Sequence, residues 1–306
     1  MIQFSRHSFL FSLVLAALIS GVFVSRTFAQ ETPPSSNRYG PFRLLDHRST
    51  YGQYWFPEPL RAEEADVDNE VRVDYFHAEK RGTQADEVEL ELEKSFGLFT
   101  FEIATGYESE REREFDDATG TTQRSTAEGM GNIELAGRFP FLQYVSGDGG
   151  FDTTFVFGLE AALPSGSDIS KDSEIVPKLA NLTRLGEHIA VQTGVGYSML
   201  IGPEEGGLNT LEYSAVLGYE LTHNDVPLPG VLTLWPLVEL EGECPLNHGE
   251  SGNNQLSGTV GFRFNFDAIE GLPFQPRVGL GYTFPIDSGA REEFDWGIVT
   301  SLILEF

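Results

Sequence analysis

The chain has almost no cysteine: Cys244 is the only one in 306 residues. An internal disulfide is therefore excluded, and so is a zinc site that draws on several cysteine ligands. We interpret Cys244 as an incidental loop thiol. The glycine-rich patterns that open a helix and cradle phosphates are also missing, so neither a cofactor nor a metal is predicted.

Positive charge is scarce as well. Lysine and arginine together number 20 against 47 aspartates and glutamates, which gives a formal net charge of −27. A nucleic-acid-binding protein needs a basic surface for the phosphate backbone, so nucleic acid is excluded as a partner. A membrane barrel is still allowed, because its carboxylates can lie in loops and in the lumen.

Only one long apolar run is present, from Phe9 to Val24. It follows a short polar start with Arg6 and precedes a small-residue site ending at Ala29, which is the layout of a secretory signal peptide. The run is shorter than the ~20 residues that a membrane-spanning helix requires. Residues 1–29 are therefore predicted to be a signal peptide, cleaved near Ala29, on a protein exported to a Gram-negative-type envelope.

From Val71 onward, apolar and polar residues alternate in many short segments. The clearest segment has Val88, Leu90 and Leu92 between Glu87, Glu89, Glu91 and Glu93. Strict alternation is typical of a β-strand with two different faces, and a closed barrel can cross a membrane on such strands alone. We count twelve segments: Val71–Tyr75, Glu87–Glu93, Phe99–Tyr107, Ile133–Phe141, Thr153–Ala161, Val176–Arg184, Ile189–Met199, Leu211–Leu221, Val231–Glu241, Leu256–Phe266, Val278–Phe284 and Trp296–Phe306.

The predicted fold is thus all-β, a transmembrane antiparallel up-and-down β-barrel of about twelve strands over residues 71–306. The segments Val176–Arg184 and Val231–Glu241 are the weakest, and ten or fourteen strands would follow if they are misassigned. An even number places both termini on the periplasmic side, with longer outer loops such as the charged stretch Glu108 to Glu128. The terminal Phe306 is predicted to be a signal for the barrel-assembly machinery. A soluble exported β-sandwich is the alternative.

Two short motifs suggest a family. Gly129-Met130-Gly131-Asn132-Ile133 is predicted to open a strand, and Ala162-Leu163-Pro164-Ser165-Gly166 to close the next one. These motifs resemble the outer-membrane barrels grouped with phenol-degradation meta-pathway proteins, although Asn132 and Ser165 depart from the usual residues. The resemblance implies a transporter, often for hydrophobic or aromatic compounds, without catalytic residues.

The inward faces of the predicted strands carry many more carboxylates than cations. Rings of charged side chains in a pore bias which ions pass, so the excess of carboxylates predicts that the lumen prefers cations. The alternative is a lumen filled by paired polar side chains, as in small barrels. The predicted lumen residues are Arg72, Glu87, Glu89, Glu91, Glu93, Glu102, Glu134, Arg138, Glu160, Glu212, Glu220, Glu239, Arg263 and Arg277.

Residues 30–70 do not alternate and are predicted to be a periplasmic extension or a plug. Arg38, Arg43, Arg48 and Trp55 are the candidate plug residues, because arginines would be attracted into an acidic lumen. The alternative is a flexible periplasmic tail, since Pro-rich polar termini are commonly disordered.

The chain is predicted not to be an enzyme. A barrel hydrolase needs a nucleophile, a histidine and an orienting group within hydrogen-bond reach. Of the histidines, His77 and His248 lie near the predicted outer rim, and neither has a convincing serine partner. The predicted function is a passive outer-membrane channel for small solutes, in contact with lipid and the assembly machinery; the alternatives are a structural, loop-displaying barrel and, further off, a lipid hydrolase.

Overall fold

The fold is a closed antiparallel β-barrel. The computed structural model describes residues 56–62, 65, 69–96, 99–116, 121–146, 150–167, 169–202, 207–247, 253–267 and 274–306. Over these residues, each long strand pairs with its neighbours in sequence, and pairing between the first and last strands closes the ring. The predicted signal peptide and the candidate plug residues Arg38, Arg43, Arg48 and Trp55 lie outside the described residues.

Twelve long strands form the described part of the wall, which confirms the predicted fold class and strand number. A two-residue segment, β9, continues the line of β8 after Glu220, and a short helix, α1, lies in the last loop. The elements are β1 (Glu70–Lys80), β2 (Thr83–Phe96), β3 (Phe99–Asp116), β4 (Thr121–Val145), β5 (Phe151–Leu163), β6 (Ser173–Leu185), β7 (Ile189–Ile201), β8 (Asn209–Tyr219), β9 (Leu221–Thr222), β10 (Val231–Pro245), β11 (Gln255–Phe266), β12 (Gln275–Pro285), α1 (Ala290–Glu293) and β13 (Trp296–Glu305).

The two faces of each strand differ as the alternation predicts. In β2, Leu90 is 51% exposed on the outer surface, whereas Glu93 is fully buried in the interior. Because side chains of a strand point alternately to its two faces, this pattern gives the barrel an apolar outside and a polar inside. No helix among the described residues is long and apolar enough to cross a membrane.

Both chain ends of the barrel lie at one rim, since Glu70 pairs with Glu305. We call this rim the terminal end and the opposite rim, which carries the β5–β6 and β12–β13 connections, the loop end. The weakest predicted strand is present as β6, with Ile175, Leu179 and Leu185 on the outer face. Its ladder with β7 is interrupted between Ile175 and Lys178, where Pro177 has no N–H to donate.

The prediction of a loop over Glu108 to Glu128 is wrong. There β3 and β4 continue as a paired hairpin, with Glu112 opposite Ser125 and Asp116 opposite Thr121. Apolar alternation ends at Tyr107, but a strand beyond the apolar band needs only main-chain pairing, and polar residues on both faces are compatible with that.

The motif Gly129–Ile133 was predicted to open a strand, and this prediction is wrong. The motif lies inside β4. Thr105 pairs with Ile133 but Tyr107 pairs with Met130, so two residues of β4 face one residue of β3. Such a β-bulge bends the strand and changes its register. The hydroxyls of Ser165 and Ser167 both donate to the Met130 carbonyl, which ties the β5–β6 connection to this bulge.

The connection after β12 is held by one carboxylate at the loop end. Asp287 accepts hydrogen bonds from the backbone N–H groups of Leu256 and Ala290, each at 3.0 Å, and from the Asn254 amide at 2.6 Å. Partial burial raises the pKa of Asp287, but these donors outweigh it and hold the pKa below its ordinary value. The charged carboxylate therefore stabilises the position of α1 over the lumen.

Candidate functional site: the barrel interior

Buried ion pairs lie along the inner wall near the terminal end. Glu93 and Glu102 lie directly opposite each other on β2 and β3, and Arg138 from β4 contacts both, with Nη1 2.9 Å from Glu93. Arg184 pairs with the Glu220 carboxylate and also donates to the Glu187 carbonyl. Arginine suits such sites, because its planar fork can bridge two carboxylates at once.

An apolar cluster fills the neighbouring part of the interior. Trp235, Leu237 and Leu182 project inward from β10 and β6 and are almost completely buried. Phe56 and Leu60, which precede β1 in the chain, belong to the same cluster. The interior near the terminal end is therefore a packed core to which residues outside the strands contribute.

The stretch Phe56–Ala62 runs inside the barrel, and we call it the inserted segment. Its carbonyls accept hydrogen bonds from barrel side chains: Gln192 donates to Pro57, and Arg263 donates to both Glu58, at 3.2 Å, and Pro59. Arg72 donates to the Pro59 carbonyl at 3.2 Å. The Glu58 carboxylate is paired with Arg277, which also binds Glu305.

The next three residues of the inserted segment turn their N–H groups to a single carboxylate. Glu239 on β10 accepts from the N–H groups of Leu60 at 2.6 Å, Arg61 at 2.9 Å and Ala62 at 3.1 Å. The Glu239 side chain is fully buried. A buried carboxylate is costly unless it is hydrogen-bonded, and here three main-chain donors satisfy it.

A cavity of about 440 Å³ occupies the interior on the loop-end side of the inserted segment. Among the described residues that line it, eleven carry carboxylates and four carry cationic side chains. The carboxylates are Asp74, Glu87, Glu89, Glu91, Glu102, Glu134, Glu160, Glu212, Glu241, Glu243 and Glu293, and the cations are Arg61, Arg72, Arg138 and Lys178. The electrostatic potential inside is therefore negative.

Small residues at inward positions of β5, β6 and β7 leave the free volume of this cavity. Gly158, Ala180, Gly194 and Gly196 line it with little or no side chain. Lys178 lies among them, with its Nζ 2.6 Å from the Glu160 carboxylate and 3.9 Å from that of Glu212. The free volume thus lies against small residues, and the charged side chains border it.

Arg61 connects the inserted segment to the loop end. Its guanidinium lies 3.8 Å from the carboxylates of both Glu87 and Glu241, and 3.9 Å from the centre of the Phe76 ring. Phe76 packs edge to face on Phe294, which follows α1, with ring centres 6.5 Å apart. These contacts place an aromatic pair between Arg61 and the last loop.

The predicted lumen residues divide into two groups. Those that line the cavity are Arg72, Glu87, Glu89, Glu91, Glu102, Glu134, Arg138, Glu160 and Glu212. Those buried in ion pairs or against the inserted segment are Glu93, Glu220, Glu239, Arg263 and Arg277. Lys178 was not among the predicted lumen residues, because Pro177 obscured the register of its strand. The inserted segment falls within residues 30–70, which were predicted as a whole to be an extension or a plug, without these residues being identified as the part inside the barrel.

Two other clusters contain residue types found in metal or catalytic sites. Carboxylate oxygens of Glu70, Glu91 and Glu93 lie within 4.8 Å of one another, a spacing that a hard cation could bridge. Arg138 already contacts Glu93, so an ion-pair network accounts for this patch. On the outer surface, His77 lies 2.8 Å from Asp86, which also accepts the Tyr75 hydroxyl. His248 is outside the described residues.

The last residue packs at the terminal end. The N–H of Phe306 donates to the Asn69 carbonyl at 2.9 Å, and its ring lies edge to face on Phe274 with centres 6.1 Å apart. The aromatic terminus is thus held at the seam where β13 meets β1.

Comparison with known proteins supports the fold. No protein-family model matches the chain, and no curated protein matches it in sequence. The solved COG4313 outer membrane channel from Pseudomonas putida F1 is 14% identical with a TM-score of 0.51, over 82% of this chain and all of that one. The NanC porin (9% identity, TM-score 0.42, 78% and 98% covered) and the KdgM porin (12%, 0.40, 77% and 99%) are more distant. At 14% identity, the likeness to the COG4313 channel concerns the β-barrel fold alone.

Proposed function

We propose that the protein is a passive outer-membrane channel for small solutes and that its acidic lumen favours cations. The observation that supports this most is the cavity of about 440 Å³, bordered by carboxylates, within a closed barrel whose outer face is apolar. An apolar band facing lipid and a polar interior are the arrangement that membrane barrels use for diffusion.

The electrostatics favour positively charged solutes. Eleven carboxylates against four cationic side chains leave the cavity with excess negative charge, and charged linings bias which ions enter. The family resemblance suggests hydrophobic or aromatic compounds as an alternative class of solute. That the chain belongs to the phenol-degradation grouping is also part of this proposal. A purely structural, loop-displaying barrel has no comparable observation in its favour.

The proposal includes the route to the membrane. Residues 1–29 are removed near Ala29 after export, the barrel inserts in the outer membrane, and assembly machinery recognises the aromatic end at Phe306. The edge-on packing of Phe306 against Phe274 at the β13–β1 seam is compatible with such a role, because closure of the ring occurs there.

Uptake into reconstituted liposomes tests the cation preference. We expect the full chain to admit small organic cations faster than anions of equal size. The double variant Glu87→Gln, Glu293→Gln should narrow the ratio of cation to anion uptake rates by about threefold or more, because it removes two carboxylates of the cavity lining without adding volume. The single variant Glu79→Gln, on the outer side of the β1 tip, is the matched control. Equal uptake of cations and anions by the full chain would contradict the proposal.

A further inference from the structure

We infer that the interior near the terminal end is a binding site for the main chain of an extended peptide, and that the chain's own residues 57–62 occupy it as a removable gate. The binding part depends only on contacts within the barrel. The gating part rests on the channel function proposed above.

The recognition is directed at the peptide backbone. Three consecutive carbonyls, of Pro57, Glu58 and Pro59, accept hydrogen bonds from side chains of the wall. The donors are Gln192, Arg72 and Arg263, which belong to β7, β1 and β11. These donors lie on three strands that are not neighbours, and they converge on one short stretch of backbone. Close packing of side chains alone would not require such hydrogen bonds.

The N–H groups that follow complete the pattern. Glu239 accepts from Leu60, Arg61 and Ala62 in succession, and its side chain is fully buried. Six consecutive residues are thus held through main-chain atoms, first by donors and then by an acceptor. Hydrogen bonds with an ionised partner are about twice as strong as neutral ones, so Glu239 makes the strongest of these main-chain contacts. We call Glu239 the latch of the inserted segment.

One side chain sets the position of the segment along the lumen. Leu60 lies over inward glycines of β12, where a Cβ added to Gly279 would approach Leu60 to 2.5 Å and one added to Gly281 to 2.9 Å. These glycines therefore form a recess that fits Leu60. Pro57 and Pro59 restrict the backbone before binding, which lowers the entropy lost when the segment is held.

The position of the segment explains why it would act as a gate. Leu60, Arg61 and Ala62 line the cavity at its inner boundary, while Phe56 and Leu60 pack in the apolar cluster on the other side. The inserted segment therefore separates the cavity from the terminal end of the barrel. If it leaves, the acidic cavity extends toward that end.

The test measures protection of a thiol placed in the segment. Ala62 is 2% exposed, so Ala62→Cys in a Cys244→Ser background should react slowly with a water-soluble maleimide. Arg81→Cys, in the exposed turn between β1 and β2, reports the unprotected rate. Correct folding of each full-length variant is checked by its heat-dependent shift in gel mobility before labelling.

Two substitutions release the latch by different routes. Glu239→Gln removes the charge of the acceptor, and Arg61→Pro removes one of the three main-chain donors. Combined with Ala62→Cys, each should raise the labelling rate of the introduced thiol by about tenfold or more. Arg61→Ala is the comparison variant: it loses the same side-chain contacts to Glu87, Glu241 and Phe76 but keeps the N–H, so its labelling rate should stay at least about threefold below that of Arg61→Pro.

Each outcome has a defined meaning. Equal labelling of the Arg61→Pro and Arg61→Ala variants would overturn main-chain recognition, and unchanged protection in a folded Glu239→Gln variant would overturn the latch. Faster labelling together with a larger ionic conductance in bilayers supports both the binding site and the gate. Faster labelling with no conductance at all would support the binding site but refute the gate together with the proposed channel.

Discussion

Arg138 is the residue whose loss should most disturb the interior. It is buried between Glu93 and Glu102, which face each other directly across β2 and β3. Like charges directly opposite in a sheet are destabilising, and the guanidinium is what makes this pair tolerable. Replacing Arg138 with methionine keeps most of the side-chain volume and leaves two carboxylates without that partner.

The expected loss in the free energy of unfolding is about 3 kcal/mol, at the lower end of the roughly 3–5 kcal/mol found when one partner of a buried ion pair is removed. The lower end applies because the Glu102 side chain keeps 11% of its exposure and can be hydrated in part. Adding Glu93→Gln and Glu102→Gln to Arg138→Met should restore about 1–2 kcal/mol, since neutral amides do not repel each other.

Urea unfolding in lipid vesicles measures these differences, with tryptophan fluorescence, to which the buried Trp235 contributes, as the signal. The matched control is Arg81→Met, which removes an exposed arginine from the β1–β2 turn and should change stability by less than about 0.5 kcal/mol. An Arg138→Met variant that unfolds at the parent urea concentration would refute the reasoning, and so would a triple variant less stable than the single one.

Two further predictions concern the outer face and the last loop. Leu280 is 52% exposed on the outer face of β12, so Leu280→Arg should lower the free energy of unfolding in vesicles by about 2–4 kcal/mol, and no loss would argue against lipid contact there. The depressed pKa of Asp287 means that its stabilisation of the loop is present above the unfolded pKa of about 3.9 and is lost as pH falls through the folded value. Asp287→Asn should therefore speed amide exchange at Leu256 and Ala290 at pH 7, after correction for intrinsic rates. In this variant, lowering the pH should change the corrected exchange rates little further. Exchange equal to that of the parent at pH 7 would contradict this reasoning.

The wall of the barrel could be predicted because each strand is specified locally. Seven residues are enough to identify both faces of β2. The apolar face has Val88, Leu90 and Leu92, and the polar face has the glutamates that alternate with them. The closure of the ring also follows from local signals, since an even number of strands brings Glu70 and Glu305 to one rim. Strand ends were harder, because the β3–β4 hairpin continues on polar residues that carry no apolar alternation.

The contents of the lumen could be predicted only in part. Facing direction follows from register, so the carboxylates of the cavity were identifiable, but their pairing was not. The contacts of the inserted segment join residues far apart in the chain, as when Leu60 binds Glu239 across 179 positions. Local patterns do not encode such contacts: the charge of residues 30–70 suggested a plug, but nothing in the sequence of Phe56–Ala62 identified its partners.

The central claim is an acidic pore with a gate formed by the chain itself, and the reversal potential across a planar bilayer tests it most directly. The mature chain and its Glu239→Gln variant would be measured in a tenfold KCl gradient. The account predicts a cation-selective potential for both and a larger single-channel conductance for the variant, because the latch on the inserted segment is weakened. Anion selectivity, or silence in both proteins despite correct folding, would contradict it.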